Sequence, residues 1–234
     1  MKSILVVPWV LVAACASRPV LPTSGPYAIK IESFPEADQA KLRSVFDAAT
    51  AMVELPETRV ASRTEIFEFL LGDLPFTAGV LRAQGLADYK IWRDPADAPG
   101  QVRFDDSKGI VLVAEVLRQE PRRWTFFSKG TFNLGLFAVP GRTVIIVVYE
   151  VRDGVLWTQA RVYAKVEGVV LEQGARLFQL VEGAIRKRGF VFINAACAVA
   201  EMAAADPGRI LREAGGSPEV DPASLEEFRR RFGR

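Results

Sequence analysis

The chain of 234 residues contains no histidine. That removes the imidazole base and metal ligand, and with it every Ser-His-Asp or Cys-His arrangement. Cysteine is nearly absent as well. Cys15 and Cys197 stand in such different surroundings that they do not read as a disulfide framework. Neither sign of charge is in excess, with 30 lysines and arginines against 28 aspartates and glutamates. Such balance gives no overall pull toward nucleic acid or an anionic surface. No metal, cofactor or nucleic-acid partner is therefore expected. A membrane-spanning run is missing too. Ile4–Ala14 is apolar but far short of the roughly 20 residues a helix needs to cross a bilayer. Residues 190–205 are nearly all apolar, yet they too are short and carry Asn194 and Glu201, so they read as a buried helix. Cys197 within them reads as a small core residue.

What is present begins with the first seventeen residues. Lys2, the apolar run Ile4–Ala14 and the small residues behind it match a secretory signal peptide. The end of that run, Val12-Ala13-Ala14-Cys15, resembles a bacterial lipobox. The resemblance implies cleavage before Cys15 and acylation of its sulfur and new amino group. One acyl chain binds a membrane marginally, whereas two or more anchor it stably. Ala16 stands where an aspartate would favour retention at the inner membrane, so the resemblance implies a cell-envelope lipoprotein on the outer membrane, facing the periplasm. The expected organisation is a signal peptide over 1–14, a Pro-rich tether over 15–26, a domain over 27–206, and a linker with a short basic helix over 207–234.

Half of the residues are apolar, enough for a substantial core. "YAIKIESF" (27–34) alternates like a first strand. Ser33 with Glu36, and Ser62 with Glu65, have the spacing of capping boxes that open helices. Gly72 and Pro75 divide the second helical segment in two, and Gly85 ends it. Strands are expected at 88–92, 101–104, 109–117, 123–132, 142–151 and 155–166, with turns at Pro99-Gly100, Lys108-Gly109, Pro140-Gly141 and Asp153-Gly154. Turns so short imply an antiparallel meander. In the last strand Leu156, Thr158, Ala160, Val162, Ala164 and Val166 share one face, and a bulky element is expected to lie on it. The helical pattern from Val169 to about Ala205 supplies that element, with a break expected near Gly189. "VIIVVYEV" (144–151) is apolar on both faces, so a neighbour or an interface should cover its outer side.

This order makes an α+β fold in which a curved antiparallel sheet of about six to seven strands wraps around a long C-terminal helix. Over residues 27–206 it resembles the helix-grip, or START-like, superfamily of lipid-transfer and polyketide-cyclase proteins. The similarity lies in "TRVASRTEIFEFLLGDLPFTAGVLRAQGLADYKI", in the closing strand "WTQARVYAKV" and in the helix after it. It implies an apolar cavity under that helix and a hydrophobic, lipid-like ligand bound or handed over there. Trp124, Phe126 and Phe132 on strands, and Phe178, Val181 and Ile185 on the helix, are the expected wall. Glu115 and Glu150, carboxylates inside apolar strands, would hold a polar head group or salt-bridge an arginine such as Arg152 or Arg122. Two other functions fit the pattern. One is an assembly lipoprotein with a filled core and a protein partner. The other is a cyclase-type enzyme pairing Glu115 or Glu150 with Tyr149 or Tyr163.

Overall fold

A computed structural model describes residue 22 and residues 24–133, 138–167, 174–218 and 220–233; the side chains of 133, 174–181, 187–192 and 195 fall outside that description. Cys15 and most of its tether lie outside the described residues.

The sheet comes first because everything else packs on it. Its strands are β1 (Ala51–Glu54), β2 (Thr58–Val60), β3 (Lys90–Trp92), β4 (Gln101–Asp105), β5 (Ile110–Glu120), β6 (Arg123–Asn133), β7 (Ala138–Arg152) and β8 (Val155–Val166). All pairings are antiparallel and run β1-β8-β7-β6-β5-β4-β3, with β2 also on β8. The antiparallel meander forms as expected, with turns at Pro99-Gly100, Lys108-Gly109 and Asp153-Gly154. At the β7–β8 turn Asp153 and Gly154 both take positive φ, 52° and 75°, the pair of left-handed residues a type I′ two-residue hairpin demands. Pro140-Gly141, expected to be a turn, lies inside β7 instead, where Gly141 faces Gly130 of β6. The sheet has eight strands because "AMVE" and "TRV", on either side of Pro56, add a split edge strand.

Among the described residues, six α-helices follow the same logic. α1 is Glu36–Phe46, α2 Thr64–Gly72, α3 Leu74–Ala83, α4 Gly174–Ala205, α5 Pro207–Gly215 and α6 Pro222–Phe232. Neither expected capping box forms. The N-cap residues of α1 and α2 are Pro35 and Arg63, and the Ser33 hydroxyl donates to the Lys30 carbonyl at 2.7 Å. Asp73, Asp206 and Asp221 do cap helices, each accepting a backbone N–H from the first turn, with proline at the first or second position. α4 runs unbroken through Gly189. An interior glycine costs a helix about 1 kcal/mol relative to alanine, too little to break one of this length. Residues 207–215, expected as linker, are helical, and α6 inserts Phe228 and Phe232 into the main core. No helix among the described residues is long and apolar enough to cross a membrane.

Two cores share the one sheet. On its concave side α2–α6 pack over Leu156, Ala160, Val162, Ala164 and Val166, the face of β8 that the alternation predicts. The two polar residues of the 190–205 segment tie α4 to the edge. Thr58 Oγ1 donates to Asn194 Oδ1 at 3.3 Å, and the Ala61 N–H donates to Glu201 Oε1 at 2.9 Å. On the convex side Tyr27, Ile31 and Phe34, with Leu42, Val45 and Phe46 of α1, cover Phe127, Val144, Ile146 and Tyr163. The doubly apolar β7 is therefore covered from within the chain.

That cover explains why 27–34 is not a strand. Its only regular piece is a 3-10 turn over Ile31–Ser33, since its task is to lay side chains on a sheet face and not to extend an edge. Side chains take up its carbonyls: Arg123 donates to Ala28 O at 2.7 Å and Arg118 to Ser33 O. Arg118 lies 3.6 Å above the Phe34 ring, and Arg161 lies 4.1 Å above that of Tyr27.

A candidate ligand cavity under the long helix

Strand parity decides what faces α4. On β6 the concave positions are Trp124, Phe126, Ser128, Gly130 and Phe132; on β7 they include Gly141, Thr143, Ile145 and Val147. Gly130 and Gly141 are cross-strand partners, and both sit where the curved sheet leaves no room for a side chain. A Cβ on Gly130 would fall 2.1 Å from the Val111 carbonyl oxygen, and one on Gly141 would meet the Phe132 ring at 2.9 Å.

Next to this bend lies a cavity of about 160 Å³. The sheet supplies Phe126, Phe132 and Ile145; α2 supplies Phe67 and Leu71; α4 closes it with Ile185, Ile193 and Ala196. The wall is carbon almost throughout. Among the described residues Ser128 and Thr143 are its two polar side chains, and they are cross-strand partners whose hydroxyl oxygens lie 2.6 Å apart. Each is nearly fully buried, and in the pair one hydroxyl donates and the other accepts.

Of the residues expected to form the wall, Phe126, Phe132 and Ile185 do so. Trp124 is buried beside the cavity, stacked on Phe126 with ring centroids 5.9 Å apart and pressed against Gly72 of α2. It supports the wall without lining it. The side chains of Phe178 and Val181 lie outside the described residues. The two carboxylates are not in the cavity. Glu115 points to the convex side, where its Oε1 lies 2.9 Å from Lys41 Nζ of α1. Burial alone would lower the Lys41 ammonium, but its bonds to Glu115 and Asp38 outweigh that and hold it above the ordinary lysine value. Glu150 is exposed on β7 and pairs with Arg152. The parity of the strands accounts for both, because odd positions of β5 below its bulge and even positions of β7 face away from α4.

The carboxylate–tyrosine pairs expected of a cyclase do not form either. Tyr149 is on the concave side and donates to Glu68 Oε1 of α2 at 2.5 Å, while burial, then that bond, push its hydroxyl up to about 12. It stays protonated at neutral pH. Tyr163 lies on the opposite face, edge-on to Phe46 at 5.0 Å. Cys197 is buried, and desolvation, then the charge of Glu201, push its thiol up to about 12, leaving it without the thiolate that reactivity needs. No cluster of possible metal ligands occurs among the described residues.

The sequence reading missed Ser128, Thr143 and the wall from α2. The signal for the first two lay in the parity of β6 and β7 once Phe126 is placed inward. For α2 it lay in the apolar spacing of Phe67, Leu70 and Leu71.

No protein-family model matches the chain, and no curated protein matches it. Solved structures similar to it include one from Thermus thermophilus, 15% identical with a TM-score of 0.45, covering 65% of this chain and 99% of that one. A START superfamily protein from Mycobacterium smegmatis is 15% identical, with a TM-score of 0.40 over 64% of this chain and 97% of that one. Ginseng major latex-like protein 151 from Panax ginseng is 14% identical, with a TM-score of 0.37 over 64% and 97%. By its own strand order, and by the long helix laid across its concave face, the described chain has the helix-grip arrangement of α+β proteins.

Proposed function

We propose that the protein holds a hydrophobic ligand in the cavity between the concave sheet and α4, at a membrane to which an acylated Cys15 ties it. The observation that carries this reading is the cavity itself: an apolar space of about 160 Å³ inside a core otherwise filled by aromatic and branched side chains. Close-packed interiors leave few voids of that size, and concave apolar sites are where small molecules bind. The lipobox-like Val12-Ala13-Ala14-Cys15 is the support for the anchor. The cell-envelope location, on the outer membrane and facing the periplasm, rests on the same segment.

Native mass spectrometry of the full chain, followed by solvent extraction, tests the first half. One bound hydrophobic molecule is expected, and it should be lost in A114F, which adds a ring to a wall position on β5. A wild-type protein that carries no ligand and takes up none would end the proposal. For the second half, C15S should move the protein from the membrane fraction to the soluble fraction. Continued stable anchoring of that variant would refute the anchor.

A further inference from the structure

One proton in the cavity wall is left over. A hydroxyl carries one O–H donor and two acceptor lone pairs. Ser128 Oγ and Thr143 Oγ1, 2.6 Å apart, share one hydrogen bond, so whichever oxygen accepts keeps an O–H that the pair does not use. Among the described residues neither hydroxyl has a second partner. Both residues are more than nine-tenths buried, at 3% and 4% exposure, where a donor left without an acceptor costs about 1–3 kcal/mol. Strand parity turns both side chains toward α4. Their neighbours on the same face of the sheet are Ala114 and Ala164 to either side, the Phe126–Ile145 pair on the next rung and the Gly130–Gly141 pair on the other. None of these six side chains has a polar atom, so within the sheet no side chain takes the proton, and the cavity is what the hydroxyls border.

We infer that the cavity takes a hydrophobic molecule bearing an oxygen acceptor, a carbonyl in the simplest case, and that the spare O–H of the Ser128–Thr143 pair donates to it. The inference rests on the cavity being the ligand site and deepens that reading by fixing one point of the ligand at β6 and β7. A bound carbonyl gives the donor the partner it lacks, while the rest of the molecule lies on the carbon of Phe126, Ile145 and Ala114. The two hydroxyls act as a unit. Either one alone also has an O–H to give, so the donor is lost only when both are removed.

The probes are acetophenone and α-methylstyrene, molecules of nearly one shape in which the carbonyl oxygen of the first is a methylene group in the second. Their dissociation constants are measured on the full-length protein by ligand-observed NMR. S128A/T143V removes both hydroxyls and leaves carbon in their place, so it should weaken acetophenone about tenfold and leave α-methylstyrene within about twofold. S128A or T143V alone should keep acetophenone binding, because each retains one donor. Equal weakening of both probes, or an acetophenone affinity untouched by the double substitution, would overturn the inference while leaving the cavity as a binding site. If neither probe bound the wild type, the ligand-site reading would fall and the inference with it. The C=O stretch of acetophenone bound to the wild type needs no variant, and it should lie below its frequency in hexane. A stretch equal to that in hexane would show the spare O–H engaged elsewhere, and would equally overturn the inference.

Discussion

At the scale of the residue, the same substitution should have opposite signs at two glycines of this chain. Gly130 faces β5 so closely that an added Cβ would sit 2.1 Å from the Val111 carbonyl oxygen and 2.8 Å from Leu112 Cα. Both obstacles are backbone, so the sheet itself must shift. G130A should cost about 3 kcal/mol or more. Gly183, in the interior of α4, has nothing within 4 Å of its would-be Cβ. G183A should therefore gain about 0.5–1 kcal/mol from helix propensity and a less flexible unfolded chain. Urea unfolding of the two variants measures both signs, and a tolerated G130A would show that the bend of β6 is not held by that close approach. Alternation places Phe126 and Phe132 on the cavity side. Of the two roles open to Glu150, a head-group contact or a salt bridge to an arginine, the pairing with Arg152 is the one that forms; Glu115 pairs with Lys41 instead of an arginine, because an apolar run with one carboxylate does not say which face of the sheet is the inner one. A second apolar face, covered by α1, made either orientation equally compatible with burial.

Among the elements, β3–β8 and the main helices were legible because the turns, the parity of β8 and the Gly72–Pro75 break are local signals. The Asp-Pro pair that opens α6 also stands at 206–207 and opens α5, a local helix-start signal inside the segment expected as linker. Residues 27–34 were not legible as what they are. Their alternation fits a strand, and only the tertiary need to cover β7 makes them a strap across the sheet. Arg118 fastens that strap through the Phe34 ring at 3.6 Å and through the hydroxyl and carbonyl of Ser33. R118A should weaken it by about 1–2 kcal/mol. The expected result is faster amide hydrogen exchange across 28–34 and in α1, with ligand occupancy in native mass spectrometry unchanged because the cavity is on the other face of the sheet. Unchanged exchange in 28–34 would mean that the strap is held by its buried apolar side chains alone.

For the molecule as a whole, the question is whether residues 207–234 are an appendage or part of the body. α6 places Phe228 in full burial, stacked on Phe76 of α3 at 5.2 Å between centroids and close to Phe69 and Phe232. The same continuous core runs from these rings through Phe67 and Ile185 to the cavity wall. Arg229, Arg230 and Arg231 are paired within the helix to Glu226 and Glu227; α6 meets the body through its aromatic face, with Arg231 also 5.7 Å from the Phe69 ring and Arg63 5.8 Å from that of Phe232. F228A should cost about 3–5 kcal/mol, a fall in Tm of roughly 10 °C for a chain of this size. Because the core is shared, the loss should extend beyond α6. Hydrogen exchange should quicken in α3 and along α4 as well, and thermal unfolding should remain a single transition. Loss of protection confined to 220–233, with an unchanged Tm, would instead make the C-terminal helix a separate attachment, and the cavity would then be enclosed by the sheet and α2–α4 alone.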